Sequence, residues 1–98
     1  MITYGFVPSY SDAVTIGNYF YNGTEQLCAT YIYVGSAGDI VWENNQGEPQ
    51  WFPGAIAGQG YIMGAARILA SGVVNGVSRT TTASSMCWFS AGKLYNTP

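Results

Sequence analysis

Short β-prone runs, each ended by turn-forming residues, are the feature that most constrains how this chain can fold. The clearest is Thr30–Val34, in which Tyr31 and Tyr33 alternate with Ile32 and Val34. Successive side chains of a strand point to opposite faces, so this run predicts a strand with tyrosines on one face and aliphatic residues on the other.

A first hairpin is predicted where residues 39–43 and 48–52 flank the polar segment Asn44–Gly47. A four-residue polar turn that ends in glycine is typical of such a loop. Pro49 has no backbone N–H to donate, so we expect it at an edge strand or at the start of a strand.

A second hairpin is predicted around Asn75-Gly76, since this pair favours a type I′ turn in which both central residues have positive φ. Its arms would run from residues 73–78 back through residues 67–70 and forward through residues 79–82. Residues 62–70 also fit a helical spacing of apolar residues. We predict strand there, because each nearby glycine would weaken a helix by about 1 kcal/mol. Three further strands are predicted at residues 13–16, 19–21 and 86–89.

The length of 98 residues predicts one domain over residues 1–98, with no linker or internal repeat. Thirteen glycines spread along the chain fit many tight turns. We therefore expect an all-β fold, a compact antiparallel β-sandwich or small β-barrel built from hairpins.

Charged residues make up only 8% of the chain, whereas apolar residues make up 48%. Three cations cannot form the basic stripe that neutralises several phosphates, so we expect no nucleic-acid partner. No apolar run reaches the roughly 18 residues that span a bilayer, and no secretory signal is apparent, so we expect no membrane partner and synthesis in the cytoplasm. The scarcity of surface charge indicates that neighbouring proteins cover much of the exterior.

Catalytic and metal-binding residues are scarce. The chain has no histidine, which removes the commonest general base, and its two cysteines cannot build a usual zinc site. Glu43 and Glu48 flank the first turn and are expected to be solvated charges. Cys28 and Cys87 would pair in an oxidising compartment and otherwise remain buried thiols. We predict a protein that is not an enzyme and needs no cofactor or metal.

The aromatic residues, 8 Tyr, 4 Phe and 3 Trp, are too many for one small core. Tyr33, Trp42, Phe52 and Trp88 are expected to fill the core. Tyrosine and tryptophan are enriched at protein interfaces. The predicted interface aromatics are Tyr19, Tyr21, Tyr31, Trp51 and Tyr61.

Arg67 and Arg79 stand out because charge is rare. Each is expected either to bridge to a carboxylate of a neighbouring subunit or to remain an exposed cation. A rival hypothesis makes the surplus aromatics stacking platforms for sugar rings. The amide side chains that would accompany them are Asn44, Asn45, Gln46 and Gln50.

Three segments, Gly38–Glu43, Gln50–Pro53 and Ala66–Ala83, carry a resemblance to a known group of proteins. They resemble small virion proteins encoded in the structural gene clusters of tailed bacteriophages. Proteins of this kind are similar in size and character to capsid decoration, or cement, proteins, while others serve at the neck, tail or baseplate.

The resemblance implies a virion structural protein that binds the assembled capsid and stabilises neighbouring coat subunits. Its partners would be the major coat protein or other virion proteins, with self-association, a trimer being favoured. A particle offers many identical copies of one site, so a small protein gains avidity there. The alternatives are a neck, tail or baseplate component, or a carbohydrate- or receptor-binding module.

Overall fold

The computed structural model describes residues 10–90, which form eleven antiparallel strands and no helix. The strands are β1 (Tyr10–Ala13), β2 (Phe20–Asn22), β3 (Glu25–Leu27), β4 (Ala29–Ser36), β5 (Gly38–Glu43), β6 (Pro49–Ala55), β7 (Gln59–Ala65), β8 (Arg67–Leu69), β9 (Ser71–Val74), β10 (Val77–Thr80) and β11 (Ser84–Ser90).

A four-stranded sheet with the order β1-β11-β4-β7 forms one layer. β4 is the strand predicted from residues 30–34, and the predicted alternation of its faces is confirmed. Ile32 and Val34 are fully buried, whereas Tyr31 and Tyr33 are 38% and 39% exposed. The strand predicted at residues 86–89 is also confirmed, as the centre of β11.

A three-stranded sheet with the order β6-β5-β8 forms the second layer. β5 and β6 are the first predicted hairpin, and Pro49 is the first residue of an edge strand, as expected. The free side of β8 is covered by residues 17–20. The Gly17 N–H donates to the Ile68 carbonyl at 2.7 Å, and the Phe20 N–H donates to the Ala66 carbonyl at 3.4 Å.

The core lies between these two sheets. β4, β7 and β11 contribute Ile32, Val34, Met63, Met86 and Trp88, while β5 and β8 contribute Ile40 and Ile68. The Phe20 and Trp88 rings pack with centroids 4.8 Å apart. The prediction of an all-β fold is confirmed. Of the two predicted architectures, the stacked sheets match the β-sandwich and not the β-barrel, because they do not close on themselves.

The second predicted hairpin is confirmed as β9 and β10, whose turn residues Asn75 and Gly76 both have positive φ, 52° and 78°. This hairpin lies over the outer side of the three-stranded sheet. A Cβ added at Gly72 would lie 3.3 Å from the Val41 side chain, which is closer than most Cβ contacts, so glycine favours this close packing. Val41 is fully buried as a result.

Several boundaries differ from the predictions. Residues 67–69 form β8, which pairs with β5, instead of continuing the second hairpin. The chain bends at Ala66, whose N–H donates to the Glu43 carbonyl at 2.7 Å, and this bond directs the chain towards β5. Residues 62–70 contain no helix, as predicted, and of residues 13–16 only Ala13 lies in a strand.

Candidate docking face and polar cleft

The side of the four-stranded sheet that faces away from the core carries a patch of apolar side chains. Strand pairing places Tyr31 opposite both Ile62 and Phe89, and Tyr33 opposite Cys87, so these five residues share one face. We call them the outer sheet face. Ile62 is the most exposed large hydrophobic residue that the structure describes, at 89%.

Tyr31 occupies the centre of the outer sheet face and its ring is held in place. The Phe89 ring meets it edge to face, with centroids 5.5 Å apart. On the other side, the Tyr31 hydroxyl end lies directly over Gly60, where a Cβ would collide with it. Gly60 is therefore required for this close approach, and Tyr31 offers a rigid aromatic surface with little rotamer entropy left to lose.

The outer sheet face has no charged side chain among the described residues. β4, β7 and β11 contain no Asp, Glu, Lys or Arg. The one charged residue of β1, Asp12, is paired with Trp88 and therefore lies on the core-facing side of the sheet. The face is thus uncharged as well as apolar, which is unusual for the surface of a free monomer.

β7 forms one border of the outer sheet face. It pairs with β4 on one side and has no strand partner on the other within residues 10–90. Proteins commonly protect such an edge with Lys or Pro, neither of which β7 contains. The patch therefore continues into an unpaired strand edge.

Tyr19 and Arg67, two of the predicted interface residues, belong to one cluster on the other layer. The Arg67 guanidinium lies over the Tyr19 ring, 4.6 Å from its centroid. Its Nε donates to Glu43 Oε2, and a second nitrogen donates to the Gly17 carbonyl at 3.4 Å. The expectation that Glu43 is a solvated turn charge is wrong. Glu43 is only 8% exposed, because cross-strand pairing brings Arg67 beside it.

The other predicted interface residues are dispersed. Trp51 is half-buried on β6, with the Arg79 guanidinium 4.8 Å from its ring centroid. Tyr61 points towards the core, where its ring packs on Phe52 at 4.7 Å and its hydroxyl accepts from a backbone N–H. Tyr21 is exposed on β2. Of the seven predicted residues, only Tyr31 lies on the outer sheet face.

The prediction of core aromatics is partly wrong. Trp88 is buried, and Trp42 and Phe52 are half-buried against the core. Tyr33 lies outside it, because it shares a face with Tyr31. The alternation of tyrosines and aliphatic residues along β4 already indicated that Tyr33 lies outside the core. Ile62 and Phe89 had no comparable signal, since their exposure depends on which sheet face the second layer covers.

A polar cleft opens where the β5–β6 turn meets β3 and Tyr19. Its volume is about 400 Å³, and its lining includes Tyr19, Gln26, Glu43, Asn45 and Ala66. We call it the Glu43 cleft. The turn is held by Asn44, whose Oδ1 accepts from the Gln46 and Glu48 N–H groups, each at 2.9 Å.

Both cysteines are free thiols and half-buried. Cys28 lies in the short link between β3 and β4, and Cys87 lies on β11. Burial raises the pKa of the Cys28 thiol, and a hydrogen bond with the Asn45 side chain opposes this rise. Cys28 is therefore a weak nucleophile near neutral pH.

Comparison of the chain with protein-family models, with curated proteins and with solved structures found no match in any of the three. Within residues 10–90, no helix is long and apolar enough to cross a bilayer. That part of the chain also contains no group of three His, Cys, Asp or Glu residues placed to hold a metal ion. A functional proposal therefore depends on the surfaces described above.

Proposed function

We propose that this chain is a non-catalytic structural protein of a tailed-phage particle, where it binds the assembled capsid as a decoration protein. The outer sheet face is the docking surface in this proposal. The observation that carries it is the exposure of Tyr31, Tyr33 and Ile62 together on one uncharged face. Contiguous apolar patches of this kind mark interaction sites.

The partner that suits this face is a protein surface that is also apolar and uncharged. A face without Asp, Glu, Lys or Arg has no charge with which to select a charged partner. Permanent interfaces tend to be more hydrophobic than transient ones. A coat-protein surface that is covered for the lifetime of the particle meets this requirement, and repeated copies of it add avidity.

The resemblance to phage virion proteins supports the setting and involves the opposite layer. Residues 38–43, 50–53 and 66–83 contribute to β5, β6, β8, β9 and β10. The outer sheet face is formed by β4, β7 and β11. The resemblance therefore supports the phage setting, whereas the docking surface is proposed from the exposed side chains alone.

Mass spectrometry of purified particles tests this setting. A decoration protein should be present in stoichiometric amounts in the capsid fraction after heads and tails are separated. Recovery in the tail fraction would favour the neck, tail or baseplate alternative. Absence from the particles would refute a virion role altogether.

A further inference from the structure

We propose that the Glu43 cleft binds an uncharged saccharide, a second activity on the layer opposite the outer sheet face. The cleft volume of about 400 Å³ falls within the usual range for small-molecule sites. Its lining combines one aromatic ring with amide side chains, which is how proteins commonly bind sugars. Three observations identify the class of ligand.

The first observation is the charge of the cleft. Glu43 is the only charged residue in the described lining, and its Oε2 accepts a hydrogen bond from Arg67 Nε. The carboxylate is thus neutralised by an arginine of the same chain. A cationic ligand would have to compete with Arg67, and an anionic ligand would meet the carboxylate without a free cation to bind it. The cleft therefore favours a neutral ligand.

The second observation is the supply of exposed amide groups. Gln26 and Asn45 are exposed, and each amide offers both donors and acceptors. Sugar hydroxyls also donate and accept, so amides match them in both roles. The Asn44 amide is occupied within the turn, which fixes the backbone that carries Asn45. The backbone position of Asn45 is thus set before a ligand arrives.

The third observation is the aromatic ring. Tyr19 is 37% exposed and borders the cleft. Because the Arg67 guanidinium stacks on the ring, the orientation of Tyr19 is set in the free protein. A fixed aromatic ring beside amides can pack against the C–H face of a pyranose while the amides bind its hydroxyls.

Titration of the ¹⁵N-labelled full chain with neutral hexoses, N-acetylhexosamines and their disaccharides, followed by NMR, tests this proposal. We expect chemical-shift changes at Tyr19, Gln26 and Asn45, with uronic acids binding more weakly than the corresponding hexoses. Each truncation, Gln26→Ala or Asn45→Ala, should weaken binding about fivefold, the value of one net hydrogen bond. Tyr33→Ala is the matched control, because Tyr33 is an exposed tyrosine on the outer sheet face, away from the cleft, and it should leave affinity unchanged.

Several outcomes would overturn the proposal. These are no shift changes near the cleft at sugar concentrations up to about 50 mM, binding unaffected by Gln26→Ala, or preferential binding of charged sugars. Gln26 is exposed, so its truncation should leave folding intact even if Tyr19→Ala does not. Ile62→Asp, which alters the outer sheet face, should retain sugar binding. Failure of the docking proposal and failure of this one are therefore distinguishable.

Discussion

Truncation of the two arginines provides a matched test of the packing described here. Both guanidinium groups stack on an aromatic ring, Arg67 on Tyr19 and Arg79 on Trp51. Within residues 10–90, Arg67 also forms an ion pair with Glu43, whose side chain is 10% exposed, whereas Arg79 forms none. Arg67→Ala should therefore cost much more stability than Arg79→Ala, although the two residues have the same side chain and similar burial.

The magnitudes follow from these contacts. Removing one partner of a fully buried ion pair costs about 3–5 kcal/mol. The Arg67 side chain is 31% exposed, so water can reach the carboxylate after truncation and lower the cost to roughly 2 kcal/mol. Loss of the ring contact adds about 0.5–1 kcal/mol at either arginine. We expect about 2–3 kcal/mol for Arg67→Ala and under about 1 kcal/mol for Arg79→Ala.

Urea unfolding monitored by tryptophan fluorescence, with thermal unfolding as a second probe, measures both values. For a chain of this size the predicted difference corresponds to roughly 5–15 °C in Tm. A double-mutant cycle with Glu43→Gln should show a coupling of about 1 kcal/mol or more between Glu43 and Arg67. Equal losses for the two arginines, or no coupling, would refute a stabilising role for the ion pair.

Two further predictions concern packing and thiol chemistry. Gly38→Ala should destabilise the fold by about 1–3 kcal/mol, since its Cβ would lie 2.5 Å from the Thr82 carbonyl carbon. In Gly64→Ala the added Cβ would meet only the Cys28 sulfur, at 3.9 Å, so stability in urea should change by under about 0.5 kcal/mol. Equal losses of stability in the two variants would contradict the close packing of Gly38 against Thr82. Cys28 should react with a maleimide more slowly than a free thiol at pH 8, because its raised pKa leaves less thiolate. The reaction rate of a Cys87→Ser variant measures this, and a rate equal to that of free cysteine would contradict the prediction. For the same reason, stability measured by urea unfolding should fall as pH rises above the pKa of an unfolded cysteine, because the unfolded chain loses its thiol proton first.

The hairpins could be predicted because local chemistry determines them. Asn75-Gly76 adopts the two positive φ angles that a type I′ turn needs, and Pro49 begins an edge strand because it cannot donate a hydrogen bond. The alternation in β4 likewise gave the buried face correctly, with Ile32 and Val34 at its centre.

The candidate sites were harder to predict from the sequence. The exposure of Ile62 depends on the pairing of β7 with β4, two strands separated by more than twenty residues. The ion pair of Glu43 with Arg67 likewise results from the pairing of β5 with β8. Contacts between distant segments of this kind have no local sequence signal. Tyr33 is different, since its strand pattern already placed it beside Tyr31.

Binding of variants to capsids that lack this protein tests the central claim most directly. Ile62→Asp places a charge at the most exposed position of the outer sheet face. Val73→Asp makes the same change at a residue 61% exposed on β9, which lies over the outer side of the three-stranded sheet. Burying an aliphatic side chain of this size is worth about 1.5–3 kcal/mol, so Ile62→Asp should weaken co-sedimentation with capsids at least about tenfold. Val73→Asp should bind as the unaltered protein does. Equal binding by both variants, or a larger loss for Val73→Asp, would contradict docking through the outer sheet face.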